Sequence, residues 1–154
     1  MEMPVQNVTQ LKKILQELFA TQSLAVLAKQ EEHQPYGSLL AFAATHDLKS
    51  LLFATTRETR KYGNLVRNPK VALVIDDRAN RDTDFHRAIA VTAMGSVAEV
   101  KGSEREKLLE LYLHKHPYLK EFASSPTCAL VRVDVDTYFV VGQIQNVMQI
   151  PMKG

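Results

Sequence analysis

The sequence contains no tryptophan and a single cysteine, Cys128. One thiol cannot close an internal disulfide, and it cannot supply the paired cysteines of a zinc finger. Such scarcity suits a reducing compartment, so a cytoplasmic location is expected. No apolar run approaches the roughly 20 residues a membrane span needs. The N-terminus has no basic segment followed by a long apolar stretch, the mark of a secretory signal. No membrane partner is therefore expected. An excess of one charge is lacking too. There are 19 Lys and Arg against 17 Asp and Glu, a formal net charge of +2. A nucleic-acid partner is not expected from that balance. No glycine-rich nucleotide loop is present, which removes the Rossmann and P-loop readings. There is no internal repeat and no low-complexity linker.

What is present suits one globular domain over residues 1–154, with 45% apolar and 23% charged residues. Residues 8–20 place Val8, Leu11, Ile14, Leu15, Leu18 and Phe19 on one helical face, with Asn7 or Thr9 as the expected cap. Residues 23–29 read as a strand, residues 34–37 as a turn, and residues 38–44 and 50–55 as a hairpin around His46 and Asp47. A short helix fits residues 60–67, with Thr59 as N-cap, and Asn68 before Pro69 ends it. Residues 70–76 are β-branched and read as a buried strand, 77–87 as a polar loop, and 88–100 as a long strand with a bulge or bend at Gly95. Ser103 and Glu106 form a capping box for a helix over 104–115, a helical turn follows at 118–123, and strands close the chain at 128–135 and 137–143. About seven strands with no strand–helix–strand rhythm predict a mainly β fold. The expected architecture is a closed antiparallel barrel with helices at its ends.

The segment with the most chemistry is FATTRETRKYGNLVRNP, residues 53–69. A strand delivers the chain to a turn bearing Thr55, Thr56 and Thr59, and Arg60 and Lys61 then open a helix. Unpaired amides and the positive end of the helix dipole suit an anion there. Cations at that end are unfavourable unless an anion joins them, so Arg60 and Lys61 point to a phosphate. Arg grips its oxygens as a fork and Lys acts as a point charge. As an isolated pair, the two side chains would read as solvated surface charges; in this strand-turn-helix context the two readings are balanced.

The stretch LLFATTRETRKYGNLVRNPKVALVID resembles the signature of the FMN-binding split-barrel superfamily, which includes the pyridoxamine-phosphate oxidases. PYGSLLAF falls where that family has the strand lining the flavin. The resemblance covers roughly residues 20–145. It implies an FMN-binding split β-barrel acting as a homodimer, with the cofactor at the subunit interface. Carried over by position, Arg60 and Lys61 would hold the FMN phosphate, and Thr55 and Thr56 the phosphate or ribityl chain. Ser38, Leu39 and Leu40 would line the flavin path, and Asn64 would add a polar contact. Thr92, or the stretch from Gly142 to Gln145, would reach across from the second subunit.

Three departures separate the chain from the vitamin B6 oxidases. Ser38 stands where they usually carry an Arg, and Ala90 where they carry a flavin-contacting Gln. The sequence given also ends at Gly154, without their C-terminal substrate-phosphate segment. The resemblance therefore implies a related oxidoreductase acting on a different small molecule, with no catalytic side chain identified. Two alternatives stay open. One is a haem-binding or haem-degrading barrel, with His33, His86, His114 or His116 on the iron. The other is a non-enzymatic FMN-binding electron carrier or sensor. A deazaflavin in place of FMN fits the same phosphate residues.

Outside this segment the expectations are structural. His114 and His116 read as cations at a helix C-terminus. Asp76, Asp77, Asp82, Asp84 and His86 read as a solvated loop with no metal. Cys128 reads as a small buried apolar group. His33 and His46 are expected at exposed turns, and Tyr36 packs at a hairpin end or covers a flavin edge.

Overall fold

The computed structural model describes residues 5–142 and 146–153. Helix α1 (Val5–Thr21) leads into strands β1 (Leu24–Glu31), β2 (Gln34–Ala41), β3 (Ala43–Ala44) and β4 (Ser50–Thr56). Helix α2 (Arg60–Arg67), strand β5 (Lys70–Asp76), the single turn α3 (Asp84–Arg87) and strand β6 (Ile89–Glu99) follow. Helix α4 (Ser103–Lys115), a 3₁₀ turn (Pro117–Leu119), α5 (Lys120–Ala123), β7 (Cys128–Gly142) and β8 (Asn146–Pro151) complete the chain.

The eight strands form one antiparallel sheet in the order β2-β1-β5-β6-β7-β4-β3, with β8 on β7. The sheet is antiparallel throughout, as the missing strand–helix–strand rhythm predicted, but it is not closed: it curls into a split half-barrel, as the resemblance implied. Its inner face buries Leu27, Phe53, Leu73, Val91, Val133 and Tyr138 against Leu15, Leu18 and Phe19 of α1. A second cluster packs Leu108 and Tyr112 of α4 on Leu52 and Leu130, on the other face of β4 and β7.

Several expected boundaries move, each for a physical reason. The first hairpin turns at Glu32 and His33, both in the left-handed region at φ 50° and 65°. A two-residue turn needs that conformation at both centres, and neither residue signals it. Residues 34–37 are therefore strand, and Pro35 is tolerated because β2 is an edge. The expected hairpin of 38–44 with 50–55 survives only as the short β3–β4 pairing, since β2 pairs along its whole length with β1. The polar loop 77–87 contains the turn α3. The two closing strands fuse into one of 15 residues, and β8 pairs with its second half.

Two caps are also corrected. Helix α1 begins at Val5, so Asn7 and Thr9 lie inside it. Gly102, at φ 71°, precedes α4, so Ser103 is a helical residue whose side chain caps nothing.

Candidate functional site

The split in the barrel lies between β2 and β4. Strand β4 meets β3 only at Leu51 and Leu52, so the edge over residues 53–56 has no neighbour on that side. Along β2, Ser38 and Leu40 lie opposite Leu27 and Ala25 and share their inward face, while Leu39 points outward. The Ser38 hydroxyl is buried with no hydrogen-bond partner among the described residues. Such orphans are uncommon in native proteins. Thr55 is buried on the same face of β4 as Phe53.

Beyond β4 the chain tightens into the turn that opens α2. The Thr56 carbonyl accepts from the Thr59 amide at 3.1 Å and from its hydroxyl at 2.8 Å. The Thr59 Oγ1 in turn accepts from the Tyr62 amide at 3.2 Å, which is the expected N-cap.

The two cations of this turn are placed differently. Arg60 is largely exposed and ion-paired with Glu31 of β1. The anion expected to join it is thus partly supplied by the protein itself. Lys61 is half-buried, with its ammonium 5.9 Å from the centre of the Phe53 ring. It has no carboxylate partner among the described residues. Burial holds its pKa below the usual lysine range.

A third cation, Lys29, was not anticipated. Only 6% of it is exposed, and its Nζ donates to the Lys61 carbonyl at 3.3 Å. Its pKa is lowered chiefly by burial, and Lys61, Arg60 and Arg67 add to the effect against Glu31. The signal was available, because Ala25, Leu27 and Lys29 occupy alternate positions on the inward face of β1.

Asn64 is buried one turn after Arg60. Its amide donates to the Gln30 carbonyl at 3.3 Å and its oxygen accepts from Asn68 at 3.4 Å. It ties α2 to β1 and offers no open polar contact. Thr92 sits on the outer face of β6, between Val74 and Phe139. Within one chain it does not meet the other candidates. Gly142 ends β7, and residues 143–145 lie outside the described part.

The remaining candidates resolve into structural roles. His116 is buried, with Nε2 2.7 Å from the Phe42 carbonyl and Nδ1 3.1 Å from the Tyr118 hydroxyl. Burial lowers its pKa, so the expected cation at the end of α4 is corrected to a neutral ring. His114, His33 and His46 are exposed. In the acidic loop, Asp84 accepts from the amides of Ala79 and Arg81 at 3.0 and 3.2 Å, and Asp77 from that of Ile89 at 2.7 Å. No group of three or more metal-ligating side chains gathers among the described residues. No described helix is long and apolar enough to cross a membrane. Cys128 is buried as expected, and burial raises its pKa.

The model of the pyridoxamine 5'-phosphate oxidase family matches residues 11–142. No curated protein matches by sequence. Among solved structures, a haem-binding protein from Mycobacterium smegmatis aligns at a TM-score of 0.80 and 13% identity, over 98% of this chain and 60% of that one. General stress protein 26 from Bacillus anthracis aligns at 0.71 and 17%, over 93% and 99%. An FAD-binding protein from Mesorhizobium loti aligns at 0.68 and 14%, over 90% and 92%. The chain thus spans about three-fifths of the mycobacterial protein and nearly all of the other two. At these identities the likeness is one of fold.

Proposed function

Since the chain belongs to the pyridoxamine 5'-phosphate oxidase family, we propose that it is an FMN-binding flavoprotein and an oxidoreductase acting on a small molecule. The observation that carries this reading is the half-buried Lys61 ammonium, which lacks a carboxylate partner among the described residues and stands at the opening turn of α2. A phosphate would neutralise it, and the free amides of that turn would share the load. The orphaned Ser38 hydroxyl and the buried Thr55 on the facing strands suit a polar chain lying in the split.

The residues therefore fit the group. Lys61, Arg60 and their backbone amides would hold the phosphate, and Ser38, Leu40 and Thr55 would line the path to the ring. When bound, the flavin supplies hydride or electron transfer, and the protein binds, orients and shields it. Leu39 and Thr92, on the outer face, would contribute across a homodimer interface. The expected cellular setting is the cytoplasm.

Fluorescence titration with FMN tests the phosphate assignment. Replacing Arg60 and Lys61 together by Ala removes charge-assisted contacts of roughly 1.5–3 kcal/mol each. FMN binding should weaken at least tenfold, while riboflavin, which lacks the phosphate, should bind as before. Unchanged FMN affinity would overturn the assignment. Turnover with NADH or NADPH separates an enzyme from an electron carrier.

Haem is the second reading, prompted by the haem-binding protein of the same fold. Both ring nitrogens of the buried His116 are already hydrogen-bonded, and ligating iron would break the bond at whichever nitrogen binds, so a haem would rely on an exposed histidine. A Soret band on mixing with haem, with no FMN fluorescence quenching, would favour that reading.

A further inference from the structure

The turn that opens α2 is held from behind by one carboxylate. Glu99 ends the inner face of β6, two residues beyond Val97 and opposite Val131. Its side chain is mostly buried and accepts from both flanks of the turn. Arg57 donates through Nη2 at 2.8 Å and Nε at 3.4 Å. Tyr62 donates through its hydroxyl at 2.5 Å. Arg57 stands before the cap residue Thr59 and Tyr62 stands just after Lys61, so the 59–61 segment is bracketed. Arg57 is anchored again at its far side. Its Nη1 donates to the Pro126 carbonyl at 2.7 Å, and its amide to the Thr127 carbonyl at 2.9 Å.

The charges agree with this geometry. The Arg57 guanidinium holds the Glu99 carboxyl below the usual carboxylate range, and the hydrogen bond to Glu99 raises the Tyr62 phenol. Lys101 also lies near enough to favour the carboxylate. Glu99 is therefore ionised at neutral pH, with Arg57 as its counter-charge. Its negative charge does not compete with an anion at Lys61. The need for such a clamp follows from the turn itself. Arg60 and Lys61 sit where the helix dipole repels cations, and the free protein must hold them there before any ligand arrives.

We infer that Glu99 is a positioning residue: through Arg57 and Tyr62 it fixes the 59–61 turn in the shape that receives a phosphate group. The inference rests on the phosphate reading of that turn. Glu99 touches no ligand and acts only through its two partners.

The test uses the full chain and two probes, FMN and riboflavin, whose affinity ratio isolates the phosphate contribution. Wild type, Glu99→Gln, Tyr62→Phe and Lys61→Met are titrated by fluorescence, and thermal melting checks that each is folded. Glutamine keeps the shape but cannot accept from the Arg57 fork and the phenol together. Glu99→Gln should lower the FMN-to-riboflavin ratio about fivefold, a loss on the scale of one hydrogen bond. Tyr62→Phe should lower it less, and Lys61→Met should lower it most. A merely structural role would lower the melting temperature and leave the ratio alone. That result, with Lys61→Met still abolishing the preference, overturns the clamp and spares the phosphate reading. If Lys61→Met also leaves the ratio unchanged, the phosphate reading falls and the clamp falls with it. Should Glu99→Gln fail to fold, Tyr62→Phe decides the matter by the same ratio.

Discussion

A histidine at the last turn of a helix is ordinarily held protonated by the dipole, and His116 follows α4 directly. Two effects therefore compete at one ring. Desolvation wins because the ring is buried, and it outweighs the opposing pull of the bond that Nε2 donates to the Phe42 carbonyl at 2.7 Å. That bond requires the Nε2–H tautomer, which leaves Nδ1 free to accept from the Tyr118 hydroxyl. The folded pKa lies below the unfolded value of 6.5, so the unfolded chain takes up the proton first. The stabilisation is complete above pH 6.5 and declines as pH falls from there towards the lowered folded value. Urea unfolding of wild type and His116→Gln at pH 7.5 and 5.5 should show a smaller acid loss in the variant. An identical loss in both would refute the neutral buried ring. The same competition hid this residue in the sequence. Its neighbours predict a helix end, whereas the burial that decides its charge depends on elements far along the chain. Lys29 was more legible, since strand alternation alone turns it inward.

Among the elements, β6 and β7 show how one glycine shapes a barrel. Met94 pairs with Thr137 and Gly95 with Val135, so Asp136 is the extra residue and the bulge lies in β7. Before it, β7 pairs with β4, and after it with β8. The Asp136 carbonyl then accepts from the Met152 amide at 2.7 Å. Gly95 lets the bent strand come close. A Cβ there would overlap the Asp134 carbonyl oxygen and lie 2.9 Å from its carbon and 3.0 Å from the Val135 Cα. All of these are backbone atoms, which cannot turn aside. Gly95→Ala should therefore destabilise the fold by about 1–3 kcal/mol, the usual range for overpacking. A shift in denaturation midpoint at constant slope would measure it, and an unshifted midpoint would refute the close approach. Gly95 was legible as a bend because a glycine inside a β-branched strand has few other uses. Helix α2 and strand β5 were legible to the residue, since Thr59 and the Asn68–Pro69 pair carry their boundaries locally. The continuity of β7 and the pairing of β8 were not, because each depends on partners far along the chain. The candidate site divides the same way. The opening turn of α2 could be read in sequence, whereas Glu99, which braces it from β6, could not.

For the whole molecule, the decisive feature is an exposed sheet face that should be polar and is not. An antiparallel barrel of this size alternates apolar inside with polar outside. Here the outward positions of β1, β2, β5 and β6 carry Leu24, Val26, Leu39, Val74 and Met94, and those of β7 and β8 add Phe139, Val141 and Val147. Leu39 is 64% exposed, Val147 56%, Leu24 48% and Met94 46%. Contiguous apolar surface of this kind marks an interaction site. A second copy of the chain is the proposed occupant, as the family resemblance implies. The face includes Thr92 and the outward Leu39, so both would lie where two subunits meet. Val74 and Met94 sit near its centre, on neighbouring strands. A charge at each, in Val74→Glu with Met94→Lys, cannot be desolvated cheaply in the interface. In light scattering, wild type should have twice the 17.3 kDa chain mass, and the variant should fall to the single value. Both positions are on the outside of the barrel, so far-UV circular dichroism should be unchanged. FMN affinity should fall together with the dimer, because half of each site would be missing. A monomeric variant that still binds FMN at wild-type strength would place the whole site within one chain. In that case Leu39 and Thr92 would lose their proposed role, while Lys61 and the α2 turn would keep theirs.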